Sequence, residues 1–132
     1  EDVTWQSGTK VLIVEDNLVN QAVLEGILED FNIDCDIADN GQKALDMLND
    51  TSLSYQAIFM DCQMPVLDGY QTTKAIREGG AGELHRTSKI IAMTANAMEG
   101  DREKCLASGM DDYLTKPVED NQIYQALLKW LG

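Results

Sequence analysis

Short apolar runs and longer, periodically apolar stretches take turns along the chain. Lys10 to Val14, Ala57 to Met60 and Lys89 to Met93 are nearly continuous aliphatic runs, and their length and composition predict strands buried on both faces. Ile33 to Ala38 differs, because Ile33, Cys35 and Ile37 alternate with Asp34 and Asp36. That period of two predicts a half-exposed strand at a sheet edge. Asp112 to Thr115 predicts a short fifth strand. Between strands, Val19, Val23, Ile27 and Leu28 recur at helical spacing up to Asp30, behind Asp16 or Asn17 as a cap, and predict a helix that packs this face on the sheet. Ala44, Leu45 and Leu48 mark a second helix after the Asp39-Asn40-Gly41 turn, and Tyr70, Thr73, Ala75 and Ile76 a third, ended by Gly79-Gly80. A fourth runs through Cys105 and Leu106 to Ser108-Gly109, where glycine is the expected C-terminal cap. The last, Val118 to Leu131, carries Ile123, Leu127, Leu128 and Leu131 on its inner stripe.

Strand and helix alternate five times with crossover lengths suited to parallel pairing. The predicted fold is α/β, a three-layer doubly wound, five-stranded parallel sheet of flavodoxin-like order 2-1-3-4-5. At 132 residues the chain fits one domain with its own core. Residues 1–9 are polar and unpatterned apart from Val3 and Trp5, which reads as a linker or N-terminal extension of a piece cut from something longer. No apolar run approaches bilayer length and the start lacks a signal peptide's pattern, so a soluble domain is expected. The formal net charge of −13 argues against direct contact with nucleic acid or an anionic membrane. Cys35, Cys62 and Cys105 lack CxxC spacing and sit in or beside apolar segments, as buried reduced thiols of a cytosolic protein do. His85, the single histidine, lies in a polar, glycine-rich connection over residues 79–88 and reads as solvent-facing.

The chemistry collects at the strand ends. Glu15-Asp16 follow the first strand, Asp61 the third, Thr94 the fourth and Lys116 the fifth, and in the predicted order these four strands are neighbours. Three carboxylates brought together repel unless a cation joins them, and an all-oxygen hard site suits Mg²⁺, which keeps waters and accepts phosphate oxygens. With the Lys116 ammonium and the Thr94 hydroxyl nearby, Asp61 is placed as a nucleophile toward phosphorus, giving an aspartyl phosphate. Taken singly, each residue has a plainer explanation: Lys116 could pair with Asp61, and the others could cap helices. Their joint occurrence at four strand ends favours the phosphoryl site.

Val-Leu-Ile-Val-Glu-Asp-Asn, Phe-Met-Asp-Cys-Gln-Met-Pro-Val-Leu-Asp-Gly, Ile-Ile-Ala-Met-Thr-Ala-Asn-Ala and Gly-Met-Asp-Asp-Tyr-Leu-Thr-Lys-Pro closely resemble the receiver domain of two-component response regulators. The wording is most similar to receivers fused to hybrid sensor histidine kinases. The resemblance covers residues 10 to 131 and implies a receiver domain over 10–132. It implies Asp61 as phosphoacceptor, Asp16 as a direct ligand of Mg²⁺ (or Mn²⁺), Glu15 as a ligand through water, and the Gln63 backbone carbonyl as a further contact. Lys116 resembles the lysine that holds the phosphoryl group, followed by a cis bond to Pro117. Thr94 resembles the switch hydroxyl and Tyr113 the aromatic that turns inward with it, although a core aromatic with a wet hydroxyl also fits Tyr113. Gln63 and Asn96 match positions that flank the attacking water.

The implied function is a phosphorylation-activated switch that catalyses its own phosphorylation and dephosphorylation. Its donor is a phosphohistidine on a histidine kinase or histidine phosphotransfer domain, and a phosphorylation-dependent dimer is among the implied outcomes. The implied setting is cytoplasmic, with a parent chain that could be anchored in the inner membrane. Three other classes compete. A flavodoxin-type cofactor binder would need a Ser/Thr/Gly-rich loop after the first strand, where Glu15-Asp16-Asn17 stand. An aspartate-nucleophile phosphatase would want a second acid where Gln63 stands, and a receiver-like module without phosphorylation would not need Asp61, Thr94 and Lys116 together.

Overall fold

The computed structural model describes residues 10–49, 55–62, 68–80, 89–94, 99–115 and 118–131, with backbone alone at 99–102 and 131. Ten elements alternate: β1 Lys10–Val14, α1 Leu18–Asp30, β2 Asp34–Ala38, α2 Gly41–Leu48, β3 Ala57–Asp61, α3 Gly69–Arg77, β4 Lys89–Thr94, α4 Glu99–Ala107, β5 Asp112–Thr115 and α5 Asp120–Leu131. All neighbouring strands pair in parallel, in the order β2-β1-β3-β4-β5. The predicted fold class and strand order are therefore those observed.

Successive residues of a strand point to opposite faces, and each face has its own core. Leu12, Val14, Ile58, Met60, Ile90 and Ala92 pack with Ala44 and Leu48 of α2, Ile76 of α3 and Cys105 of α4. Val11, Ile13, Phe59, Ile91 and Met93 pack with Leu24 and Leu28 of α1 and Ile123 and Leu127 of α5. Both sets are buried, which explains why the three central strands read as continuous apolar runs rather than alternating ones.

Local chemistry sets the helix ends. The Asn17 side chain accepts from the Asn20 amide at 3.0 Å and starts α1. Asp68 and Gln71 form a reciprocal capping box at the start of α3. α1 ends with the Ile33 amide donating to Leu28 and the Asn32 amide to Glu29, with Asn32 at φ 61; α4 ends in the same motif, with Gly109 at φ 110. Arg77 then ties α3 to the segment before β5, donating through Nε to the Gly109 carbonyl at 2.8 Å and through Nη2 to Asp111 at 2.9 Å.

Several sequence expectations change. The inner face of α1 is formed by Leu24 and Leu28, while Val19 and Val23 are 70% and 46% exposed. Apolar residues lie on more than one side of this helix, so spacing alone could not choose the buried stripe. α5 begins at Asp120 rather than Val118, and Ala126 joins Ile123 and Leu127 in its buried stripe while Leu128 is half-buried. Cys62 and Cys105 are buried, but Cys35 is only half-buried.

Candidate phosphoryl-acceptor site

β1, β3 and β4 end at one level of the sheet. Val14 is paired with Met60, and Met60 with Ala92, so Glu15, Asp61 and Met93 form the next layer. Asp61 is the last residue of β3 and stays in register with Met93; β4 extends one residue beyond the expected end, pairing Thr94 with Thr115. Carboxylate oxygens of Glu15, Asp16 and Asp61 all lie within 4.8 Å of one another. Glu15 and Asp61 are buried and Asp16 is exposed, so the cluster has a closed floor and an open rim.

The acidic turn after β1 is held by its own backbone and by the helix that follows. The Glu15 amide donates to the Ala38 carbonyl of β2 at 3.0 Å. The Asn17 amide donates to Glu15 Oε2 at 3.1 Å, and Gln21 Nε2 donates to the Glu15 carbonyl at 2.7 Å. Gln21 escaped sequence reasoning. The signal was a polar side chain one turn into a helix whose start abuts the acidic pair, but only the fold shows that it reaches back.

Beyond Asp61, the Cys62 amide donates to the Met93 carbonyl at 3.0 Å and the Cys62 carbonyl accepts from the Gly69 amide at 3.1 Å. The first residue of α3 is thereby hydrogen-bonded to the residue directly after β3. A Cβ on Gly69 would overlap the Asp61 carbonyl oxygen and come within 2.8 Å of Cys62 Cα. Gly69 is thus the place where α3 begins in contact with the end of β3.

Behind Asp61, the Cys62 and Cys105 sulfurs are 3.8 Å apart. Burial pushes the Cys62 thiol up to about 12, reinforced by the neighbouring Cys105, while a hydrogen bond with Tyr70 acts in the opposite direction. The Tyr70 hydroxyl is likewise pushed up, first by burial and then by its bond with Cys62. Lys104 Nζ lies 4.4 Å from the centre of the Tyr70 ring. Tyr113, on β5 and paired with Ala92, is half-buried against the same core.

Of the residues singled out from sequence, Glu15, Asp16, Asp61 and Thr94 gather at this edge. Gln63, Asn96, Lys116 and Pro117 lie outside the described residues, as does His85. The donor set of the three carboxylates is all oxygen and concentrated in charge, which fits a hard divalent cation.

The model of the response regulator receiver domain matches residues 11–128. The chain belongs to this family. It is a receiver domain of two-component phosphorelay signalling, and the relatives agree. It is 45% identical over 121 residues to hybrid signal transduction histidine kinase I of Dictyostelium discoideum, covering 89% of this chain. It is 40% identical over 133 residues to the sensor histidine kinase GacS of Pseudomonas protegens, covering all of this chain. The receiver spans only 7% and 14% of those two proteins' lengths.

Among solved structures, the receiver domain of a Pseudomonas aeruginosa sensor histidine kinase has magnesium coordinated in its active site cleft. It superposes with a TM-score of 0.84 at 44% identity, over 96% of this chain and 99% of that one. A Saccharomyces cerevisiae receiver domain, from the response regulator Ssk1, was crystallised with the histidine phosphotransfer protein Ypd1. It superposes at 0.82 with 37% identity, over 93% of this chain and 88% of that one.

Proposed function

We propose that this receiver accepts a phosphoryl group on Asp61 from a phosphohistidine, in a Mg²⁺-dependent transfer, and later loses it to water. The observation that carries this is the gathering of Glu15, Asp16 and Asp61 oxygens within 4.8 Å at the carboxyl edge of the sheet. Asp61 sits at the end of the central strand of that cluster. Glu15 and Asp16 would hold the cation, joined by the Gln63 carbonyl, and the cation supplies charge neutralisation for the carboxylates and the incoming phosphoryl oxygens. Mn²⁺ is an equivalent probe for an all-oxygen set.

A carboxylate oxygen of Asp61 attacks phosphorus, the P–O bond forms, the P–N bond to imidazole breaks, and the imidazole leaves neutral after taking up a proton. In this reading Lys116 binds a phosphoryl oxygen, Thr94 donates its hydroxyl to another, and Tyr113 follows Thr94 inward. A cis bond to Pro117, as the family resemblance implies, would orient Lys116. Water then attacks phosphorus between Gln63 and Asn96, releasing phosphate and restoring the carboxylate. The resulting conformational output is a shift between two populations of the α4–β5–α5 surface.

The partner is a histidine kinase or a histidine phosphotransfer domain. Leu18, Val19 and Val23 are 77%, 70% and 46% exposed on α1, the helix that starts directly after Glu15-Asp16. An apolar patch beside the pocket mouth is where a domain delivering phosphohistidine would dock. The charge of −13 disfavours nucleic acid as a partner. No described helix is long and apolar enough to cross a membrane, and the donor chemistry, which draws on nucleoside triphosphate, belongs in the cytoplasm. A phosphorylation-dependent dimer would appear in sedimentation as a mass increase on phosphodonor treatment.

Incubation with Mg²⁺ and acetyl phosphate, followed by intact-mass measurement, tests the central claim. One added phosphoryl group is expected, absent in Asp61→Asn and absent with chelator. Labelling that persists in Asp61→Asn overturns it.

A further inference from the structure

Cys105 of α4 packs its sulfur into the core of the sheet. Among the described side chains of α4, Glu103, Lys104, Leu106 and Ala107 are exposed and Cys105 alone is buried, at 0% exposure. Cys105 faces Cys62, itself 1% exposed and the residue directly after Asp61. Their sulfurs are 3.8 Å apart although the residues are 43 positions apart in sequence. A disulfide needs roughly 2 Å between sulfurs, so closure asks for side-chain rotation or a small inward shift of α4 and no refolding of the sheet.

We propose that Cys62 and Cys105 form a redox-active dithiol site that a peroxide closes to an intramolecular disulfide, tethering α4 to the strand end that carries Asp61. One thiol sulfur attacks the peroxide, an S–O bond forms, the O–O bond breaks, and the departing oxygen takes up the thiol proton as water. The second sulfur then attacks the first, the S–S bond forms, the S–O bond breaks, and a second water leaves. The two sulfurs together lose two electrons and the peroxide gains them.

Burial makes the first step slow in the closed fold, so it proceeds when α4 lifts. That opening uncovers Cys105 and takes it off Cys62, which keeps its hydrogen bond with Tyr70 of α3. The second step is then fast, because recoil of α4 brings the sulfurs back into contact. The half-buried Cys35 on β2 belongs to the other face of the sheet, with α1, and cannot compete for either thiol inside one molecule.

The tether has a functional consequence that rests on the phosphoryl-acceptor reading above. α4 follows β4, whose last residue is Thr94. Fixing α4 to Cys62 restricts the motion that would accompany phosphorylation of the preceding residue, so the oxidised domain should take up phosphoryl groups about fivefold or more slowly.

The test uses Cys35→Ser protein treated with hydrogen peroxide, then denatured and alkylated. The expected product is lighter by two hydrogens, resists alkylation, and yields one cross-linked peptide joining residues 62 and 105; Cys35→Ser/Cys105→Ala gives none. Free, alkylatable thiols at both positions after exhaustive treatment, or a mass gain of oxygen without cross-linking, overturns the site. If the double variant does not fold, the mass and peptide map of Cys35→Ser still decide. Acetyl phosphate labelling of reduced and oxidised protein reads the coupling separately. Equal rates in the two forms overturn the coupling, while failure of the reduced form to label rejects the phosphoryl-acceptor reading and leaves the disulfide measurement intact.

Discussion

Gly69 lies against Asp61: the first residue of α3 packs so closely on the backbone at the end of β3 that a single methyl group would overlap the Asp61 carbonyl oxygen. Its amide also donates to the Cys62 carbonyl at 3.1 Å. Gly69→Ala is expected to push the start of α3 off the end of β3 and cost about 1–3 kcal/mol, the usual penalty for overpacking. Urea unfolding measures the loss, and wild-type stability in Gly69→Ala would refute the close contact.

Glu15 and Asp16 contribute two of the three clustered carboxylates. Replacing either by its amide removes a negative charge from the proposed cation site with little change in volume. Glu15→Gln and Asp16→Asn should each weaken Mg²⁺ binding by about tenfold or more, equivalent to ~1.4 kcal/mol, as measured by calorimetric titration. Unchanged affinity in both variants would place the cation elsewhere.

The exposed apolar residues of α1 separate docking from chemistry. Leu18→Asp and Val19→Asp lie on the solvent side and should leave stability within about 0.5 kcal/mol and acetyl phosphate labelling unchanged. Transfer from a phosphorylated histidine phosphotransfer domain should fall about tenfold, corresponding to the loss of one interface anchor. Equal loss with both donors would point to a damaged pocket instead.

Asp36 gives the fold an acid limit. Burial pushes its carboxyl up, but hydrogen bonds from Tyr55 and Lys10 and the Lys10 charge outweigh it, leaving the group below its ordinary value of 3.8. Tyr55 donates at 2.7 Å and Lys10 Nζ lies 3.1 Å away. A carboxyl depressed in the folded state contributes stability that is complete well above 3.8 and is lost as pH falls from there through the folded value. Unfolding curves should therefore show wild type losing more stability than Asp36→Asn below about pH 4, while parallel curves would show that Asp36 carries none of the acid sensitivity.

How far the sequence reaches depends on whether neighbours along the chain or neighbours in space determine the outcome. Ile58-Phe59-Met60 is buried on both faces, and a continuous aliphatic run has few other soluble solutions, so β1, β3 and β4 were legible. Asp61 and Glu15 were legible too, since each ends such a run and open parallel sheets gather strand ends at one edge. α1 was only half legible: Leu18, Val19, Val23, Leu24, Ile27 and Leu28 are apolar on several sides, and the sheet together with α5 selected Leu24 and Leu28 for burial.

By itself, the sequence determined the alternation of strand and helix, the parallel pairing and the acidic and hydroxyl groups at the strand ends, which follow from local periodicity and from the few ways in which such units pack. The strand order 2-1-3-4-5 rested in part on the order of known folds of this kind. Only the tertiary structure decided that Gln21 reaches back to Glu15, that Gly69 must be small, and that Cys62 meets Cys105 across 43 residues. Such contacts depend on the distance between side chains on different elements, and no local pattern encodes that distance.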